Sequence, residues 1–390
     1  MADAGKANAM TNRRQFILQT TATVAATAMT MPFATPSLAG QDTSADASPV
    51  RIGLTEWMAG TTPVTLVYPT QAAEQPLQRG DFRIQVAVDA APLPGRHPLI
   101  VISHGSGGSA VADHDLAAAF VRAGFVVAQP LHEGDNYRDR RLTGPESFKR
   151  RPLEVRELID ALAEHPDWSQ RLDLRSVGVH GMSAGGVTAL SLAGGQWSLQ
   201  TMVRHCNRHR EADEGFCFQG APSGPARKER EARFNQARWV PGFMLPGHVK
   251  ALHGGRSVQA QQDPRPDPRV AAISLAVPVA AIFTPESLAR IRIPVFVVTA
   301  QDDTVLVPRF HAQHVVAHCR TAEMMAPLPN AGHFDILSPW PASVAREVAA
   351  SQVRGGEPNP KFDPTDRSAA HARIVAFHVQ HLAANANKVS

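Results

Sequence analysis

Residues 177–186 read VGVHGMSAGG and place a serine, Ser183, in the spacing Gly-x-Ser-x-Gly. An apolar strand-like run, Val177 to Val179, leads into this segment, and a helix-like run of small residues, Ala184 to Leu192, leaves it. Glycines flank a serine in this way where the chain turns so tightly from strand to helix that larger side chains would clash. The segment therefore predicts a strand, a tight turn that exposes the Ser183 hydroxyl, and a helix.

A serine hydroxyl becomes a nucleophile only when a base lies within hydrogen-bond reach and an acid orients that base. On a strand–turn–helix scaffold of this kind the expected chain order is serine, acid, histidine. The apolar run at residues 294–300 is followed by Asp302 and Asp303, either of which could serve, and we favour Asp303. His333, beside Gly332 in a loop after the last strand-like run, is the predicted base.

The negative charge that develops on a substrate carbonyl oxygen needs two backbone N–H donors. The residue after the nucleophile, Ala184, is predicted to supply one of them. The other is expected from the glycine-rich loop SHGSGG at residues 103–108, where we favour Ser106 and keep Gly107 as the alternative. A phosphate-binding loop is the alternative interpretation, although no Gly-Lys-Ser/Thr follows.

A second loop, PLHEGDN at residues 130–136, follows the strand-like run at residues 125–129. It is expected near the carboxyl edge of the sheet, where ligands bind in such folds. The candidate pocket residues are His104, Gly107, His132, Asn136 and Met182. A hydrogen-bonded loop position is the alternative role for His132. Glu133 and Asp135 in the same loop are a weaker indication of a cation site.

Strand-like and helix-like segments alternate through the rest of the chain. The strand-like runs are Arg51–Thr55, Val64–Tyr68, Phe82–Asp89, Leu99–Ser103, Phe125–Gln129, Ser176–His180, Val270–Ala276, Pro294–Thr299 and Glu323–Leu328. The helix-like runs are Asp113–Ala123, Pro152–His165, Ala184–Leu192, Pro308–His318 and Ala369–Leu382. The alternation predicts an α/β fold with a mostly parallel central sheet, helices on both faces and a hairpin edge formed by the first strands.

One segment, about residues 196–267, breaks the alternation, because it is rich in Arg, His, Glu, Gly and Pro and has no strand-like run. A structureless insert of that length is rare in a compact domain. We therefore predict a partly helical cap insertion over one end of the sheet, within a single domain that spans residues 51–390. Trp239, Met244 and Leu245 could line a pocket from this cap, although packing within the cap is their commoner role.

The first forty residues have the features of an export signal. Residues 12–17, NRRQFI, precede a mildly apolar stretch at residues 17–31, and SLA at residues 37–39 supplies small residues for a cleavage site. This pattern resembles a twin-arginine signal, and an ordinary basic N-terminus is the alternative. We expect the twin-arginine machinery to export the precursor, residues 1–39 to be removed, residues 40–50 to form a linker, and the mature protein to be periplasmic or secreted.

Composition excludes several other classes of protein. The chain has 390 residues, of which 43% are hydrophobic and 19% charged, a globular mix unlike that of collagens, coiled coils or disordered chains. The formal net charge of +4 gives no indication of a nucleic-acid partner. Beyond the signal no run of about 18 apolar residues occurs, so we expect no membrane span in the mature protein.

Three cysteines are present, Cys206, Cys217 and Cys319. In an oxidising compartment Cys206 and Cys217 could form a disulfide that closes a short loop, although spacing alone does not establish which cysteines pair. There is no Cys-x-x-Cys and no zinc-like spacing. The predicted triad chemistry requires neither a metal nor a cofactor.

At these motifs the sequence resembles the α/β-hydrolase superfamily, over roughly residues 51–348. Within it, the chain looks most like predicted dienelactone hydrolases and bacterial relatives of the plasma-type platelet-activating-factor acetylhydrolases. The shared motifs are Ser103–Gly105 with Gly107 and Gly108, the turn at Gly181–Gly186, the Asp302–Asp303 pair and Gly332–Asp335. Two positions differ: dienelactone hydrolases have a cysteine where Ser183 stands, and the acetylhydrolase-like pattern usually has a histidine where Met182 stands.

The resemblance implies an α/β-hydrolase fold and hydrolysis of a small-molecule carboxylic ester through an acyl-enzyme, with no cofactor. Ser183 would be the nucleophile, His333 the base and Asp303 the acid. The same triad would also serve a lactone, amide or polyester hydrolase, or perhydrolase-type chemistry. A non-catalytic binding protein on this fold is disfavoured, because such a protein has no need of all three side chains.

Overall fold

The computed structural model describes residues 49–218, 266–350 and 357–386, with a few positions between 224 and 232. The predicted signal segment, most of the predicted linker and much of the predicted cap, including Trp239, Met244 and Leu245, lie outside these residues. Among the described residues, no helix combines the length and the apolar character needed to span a bilayer.

One mixed sheet runs through the described part of the chain. Its strands are β1 (Arg51–Ala59), β2 (Thr62–Thr70), β3 (Gln75–Arg79), β4 (Phe82–Val88), β5 (His97–Ser103), β6 (Val126–Pro130), β7 (Leu172–Met182), β8 (Val270–Ala276), β9 (Val295–Val298) and β10 (Ala322–Met324). Their order across the sheet is β10-β9-β8-β7-β5-β6-β2-β1-β4-β3. From β10 to β6 every pairing is parallel, whereas β2 is antiparallel to both β6 and β1. The sheet is therefore mostly parallel, with an antiparallel hairpin toward one edge, as predicted.

Helices cover both faces of the sheet. They are α1 (His114–Arg122), α2 (Pro145–Glu164), α3 (Ala184–Leu192), α4 (Leu199–His209), α5 (Glu214–Cys217), α6 (Pro285–Leu288), α7 (Ala312–His318), α8 (Ala342–Ala350) and α9 (Pro364–Ala386). Alternate residues of each central strand enter different cores: Leu99 and Val101 join α2 and α3 on one face, and Ile100 and Ile102 join α1 and α9 on the other. Each such fully buried aliphatic side chain stabilises the fold by about 1.5–3 kcal/mol.

Several elements depart from the sequence prediction, among them helix α2 and strand β3. Helix α2 begins at Pro145 and not at Pro152, which lies inside the helix, where its missing N–H removes a backbone hydrogen bond. Proline at the first helical position needs no such bond, and this makes Pro145 a good start. Strand β3 was not predicted, because its residues, QPLQR, show no apolar alternation and pair only with β4 at the edge of the sheet.

Helices α4 and α5 are the described part of the predicted cap. Ser198 caps α4, its hydroxyl accepting a hydrogen bond from Thr201 N at 3.1 Å. A disulfide joins Cys206 of α4 to Cys217 of α5. Gly215 of α5 packs so closely on the loop after β9 that a Cβ there would lie 2.3 Å from Thr304 O. The cap helices therefore sit beside the loop that carries Asp303.

Two buried histidines, one on strand β7 and one on helix α9, meet at a serine of strand β8. His180 Nδ1 and His378 Nε2 lie 2.8 and 2.9 Å from Ser274 Oγ, and His378 Nδ1 is buried with no partner among the described residues. Burial lowers the pKa of both His180 and His378 to about 3. Both imidazoles are therefore neutral in the folded protein near pH 7.

These histidines predict a loss of stability in mild acid. In the unfolded chain each titrates near pH 6.5, so between about pH 6.5 and 3 only the unfolded state gains their protons. The free energy of unfolding should therefore fall by about 1.4 kcal/mol per pH unit for each histidine as the pH falls. His378→Phe should remove one such contribution from the slope, measured by urea unfolding between about pH 7 and 5.

The comparison with the unmutated protein cancels other titrating groups, such as Asp113, whose pKa burial raises to about 7. Equal slopes for the two proteins would show that His378 is not responsible.

Candidate active site

Ser183 occupies a strained turn between β7 and α3. Its φ is +53° and its ψ −113°, a backbone conformation that costs a residue with a side chain about 1–3 kcal/mol. Hydrogen bonds from Ser183 N to Ala276 O (3.0 Å) and from Val279 N to Ser183 O (2.9 Å) hold the turn against the end of β8. A Cβ at Gly185 would lie 1.9 Å from Ser103 O, so only glycine fits at this position, two residues after the serine.

The Ser183 hydroxyl is in hydrogen-bond contact with a histidine and, through it, with a carboxylate. His333 Nε2 lies 3.0 Å from Ser183 Oγ, and His333 Nδ1 lies 2.8 Å from Asp303 Oδ2. The other Asp303 oxygen accepts the backbone N–H groups of Val305 (2.9 Å) and Leu306 (2.8 Å). His333 and Asp303 are buried. The three side chains come from the loops after β7, β9 and β10, which all lie at the carboxyl ends of these parallel strands.

The structure distinguishes the two neighbouring aspartates. Asp302 is exposed, and its side chain lies 3.4 Å from Asn359 Nδ2. Its backbone N–H donates to Ala331 O at 2.8 Å. This bond joins the loop after β9, which carries Asp303 (the acid loop), to the loop after β10, which carries His333 (the histidine loop). Of the two candidates, Asp303 is the one that meets His333.

The histidine loop is braced by a second carboxylate. Asp335 Oδ2 accepts the backbone N–H groups of Gly332 (2.7 Å) and Asn359 (3.2 Å), and Arg367 Nε donates to Asp335 O at 2.7 Å. Burial raises the pKa of Asp335 above its usual value. This carboxylate lies within the Gly332–Asp335 motif and fixes the backbone on both sides of His333.

The glycine-rich loop after β5 lies directly against Ser183. A Cβ at Gly105 would be 2.8 Å from Met182 Sδ and 3.4 Å from Ser183 Cβ. The backbone N–H of Gly107 donates to Asp135 Oδ1 at 3.0 Å, as does the hydroxyl of Ser106 at 2.6 Å. At the other donor position, Ala184 is the first residue of α3, where helix geometry provides no intrahelical acceptor for its N–H.

The remaining predicted pocket residues are shielded from solvent. His104, His132, Asn136 and Met182 are all buried. His132 lies 2.8 Å from Ser103 Oγ through Nε2 and 2.6 Å from Glu154 Oε2 through Nδ1, and Asn136 Nδ2 donates to His132 O at 2.7 Å. Burial lowers the pKa of His104 and His132 well below the usual range. Both imidazoles are therefore neutral near pH 7, and the hydrogen bonds of His132 help to hold the glycine-rich loop in place.

Sequence reasoning missed Arg151. It is the largest fully buried side chain of the described residues, and its Nη2 lies 2.8 Å from Asp135 Oδ2. In the sequence it stands in a run of basic residues, Lys149 to Arg151, which looks like a solvated helix face. Its position four residues before Val155, on the apolar face of α2, was the available signal. Asp135, read as a weak cation candidate, instead has this guanidinium as its partner.

Within the described residues, no group of three or more His, Cys, Asp and Glu side chains is arranged to hold a metal ion.

Similarity to known proteins is found at the level of structure. No family model matches the chain, and no curated protein does. Among solved structures, a ferulic acid esterase from Streptomyces cinnamoneus superposes with a TM-score of 0.53 at 15% identity, over 87% of this chain and 92% of that chain. At this identity the likeness concerns the fold. The chain has an α/β-hydrolase fold, as the sequence predicts.

Proposed function

We propose that this protein is a serine hydrolase that cleaves carboxylic esters through an acyl-enzyme on Ser183. The observation that carries the proposal is the unbroken contact from Ser183 Oγ through His333 to Asp303, at 3.0 and 2.8 Å. This is the arrangement that turns a serine hydroxyl into a nucleophile. The ferulic acid esterase likeness adds support, because that protein's stated activity is on an ester.

The contacts of His333 support a proton path through its imidazole in the proposed reaction. Ser183 Oγ attacks the ester carbonyl as its proton passes to His333 Nε2, and the Asp303 carboxylate stabilises the imidazolium that forms. His333 then gives that proton to the departing alkoxide, which is released as the alcohol. An acyl group remains on Ser183. Water attacks the acyl-enzyme, gives a proton to His333 and releases the acid, and the proton returns to Ser183.

The oxyanion would be held by the backbone N–H groups of Ser106 and Ala184. Gly107, the alternative donor, is disfavoured because its N–H already donates to Asp135 at 3.0 Å. Preorganised donors of this kind contribute about 10²–10³-fold each to kcat. The motif resemblance further favours an enzyme of the dienelactone hydrolase or acetylhydrolase type.

Export by a twin-arginine signal is part of the proposal. The Cys206–Cys217 disulfide supports it, because disulfides persist mainly in oxidising compartments. N-terminal sequencing of the secreted protein is the test: a mature chain that begins near residue 40 is expected, and one that begins at Met1 would overturn this part.

A substrate panel tests the reaction class. We expect the purified protein to release p-nitrophenol from short p-nitrophenyl esters, and we expect slower or no turnover of lactones, anilides and polyester films. Faster turnover of one of these others would reassign the substrate within the same mechanism. A folded protein that turns over none of them would contradict the enzyme assignment.

A further inference from the structure

The buried carboxylate of Asp135 accepts hydrogen bonds from two donors of the glycine-rich loop. Its Oδ1 accepts the Ser106 hydroxyl at 2.6 Å and the Gly107 N–H at 3.0 Å. Its Oδ2 accepts the Ser147 hydroxyl at 2.6 Å and pairs with Arg151. Asp135 therefore links the loop after β5 to helix α2.

Arg151 holds the same loop by its carbonyl groups. Its guanidinium donates to His104 O through Nη1 and to Gly105 O through Nη2, the latter at 3.4 Å. Gly105 O also accepts the Gly108 N–H at 3.1 Å. Together, Asp135 accepts the Ser106 hydroxyl and the Gly107 N–H, and Arg151 donates to the carbonyl groups of the two residues before them.

Peptide geometry connects these contacts to the proposed oxyanion donor. Gly105 C=O and Ser106 N–H belong to one planar trans peptide, so they point in opposite directions. Fixing the carbonyl toward Arg151 therefore fixes the direction of the Ser106 N–H. Gly105 lies against Ser183, with 3.4 Å between the position of a Cβ on Gly105 and Ser183 Cβ.

The opposite charges of Asp135 and Arg151 suit them to hold the loop after β5 in one orientation. Asp135 and Arg151 are both buried, and taking one charge away would leave the other without a partner in a low-dielectric interior. Although burial raises the pKa of Asp135, Arg151 and the donated hydrogen bonds lower it more, to about 2. The carboxylate is therefore ionised throughout the pH range in which the enzyme would work.

We propose that Asp135 and Arg151 are positioning residues that hold residues 104–107 so that the Ser106 N–H faces the developing oxyanion. This inference rests on the proposed function. It differs from a purely structural role, because it predicts that the pair contributes to transition-state binding more than to substrate binding.

The test compares Asp135→Asn with a matched control. The asparagine side chain would keep an acceptor for the loop but lose the charge that pairs with Arg151. We expect kcat on a p-nitrophenyl ester to fall by about 10²-fold with KM changed less than about threefold, as for the loss of one oxyanion donor. A trifluoromethyl ketone inhibitor, which places an oxyanion in the same position, should bind weaker by a similar factor.

Asp267→Asn is the control. Asp267 is also buried and pairs with Arg269 at 2.8 Å, but it precedes β8, at the opposite end of the sheet from Ser183. We expect this variant to lose stability and to keep the kcat and inhibitor affinity of the unmutated protein. Equal losses of kcat in both variants would show a general structural effect and overturn the proposal.

A milder variant decides the matter if Asp135→Asn does not fold. Ser147→Ala removes one hydrogen bond to Asp135 and one from Arg151 Nε (2.7 Å), and it should lower kcat several-fold at unchanged KM. Folded variants with unaltered kcat and inhibitor affinity would overturn the positioning role while leaving the hydrolase assignment standing. An inactive unmutated protein would instead count against the proposed function.

Discussion

Replacing Ser183 with alanine is expected to lower kcat on a short p-nitrophenyl ester by about 10⁴-fold or more, because removing the nucleophile of a triad leaves only the contribution of binding and of the oxyanion donors. The fold should survive. The Ser183 hydroxyl contacts His333 at 3.0 Å, and alanine keeps the backbone hydrogen bonds to Ala276 and from Val279 that hold the turn.

The measurement is initial-rate kinetics together with circular dichroism and urea unfolding. Ser191→Ala is a matched control, since Ser191 lies on α3, the helix that follows Ser183, and its hydroxyl has no hydrogen-bond partner among the described residues. This control should retain full activity. Turnover by Ser183→Ala close to that of the unmutated protein would contradict the assigned nucleophile.

Replacing Asp303 with asparagine should have the second-largest effect, a fall in kcat of about 10⁴-fold. Asp303 Oδ2 lies 2.8 Å from His333 Nδ1, and an asparagine amide at this position would favour the wrong imidazole tautomer and could not stabilise the imidazolium. The acid loop should keep its shape, because Oδ1 of the new side chain can still accept the N–H groups of Val305 and Leu306.

The adjacent aspartate provides the control for Asp303. Asp302→Asn changes charge and volume in the same way one residue earlier, but Asp302 is exposed and its carboxylate contacts only Asn359 among the described residues. We expect kcat within about twofold of the unmutated protein, as for a surface substitution. The opposite ranking of the two variants would assign the triad acid to Asp302.

Local patterns were enough to predict most of the elements and the three side chains that the structure brings into contact at Ser183. The glycines around Ser183 are dictated by clashes that act within one turn, such as that between a Cβ at Gly181 and Gly185 O at 2.2 Å. Buried strands such as β8, Val270–Ala276, are apolar at nearly every position, and the structure gives this strand the predicted bounds. Because parallel strands end at a common edge, the residues after them are expected to converge.

The supports of the site depend on contacts that no local pattern encodes. Asp135 lies in a loop and Arg151 on a helix, and nothing in the residues around either one indicates that the two side chains pair. His132 was expected near the pocket because it follows a strand, but its side chain turns inward to Glu154, twenty-two residues later on α2. The pairing of Cys206 with Cys217 likewise depends on how α4 and α5 lie relative to each other, which their spacing leaves open.

The proposed hydrolysis requires Ser183 to be an activated nucleophile. Treating the folded protein with a fluorophosphonate probe, digesting it and sequencing the peptides by mass spectrometry measures this without any assumption about the substrate. We expect one stoichiometric adduct, on the side chain of Ser183, that is absent from Ser183→Ala and slower to form in Asp303→Asn. A folded protein that stays unlabelled, or one labelled equally well after Ser183→Ala, would contradict the proposed hydrolysis.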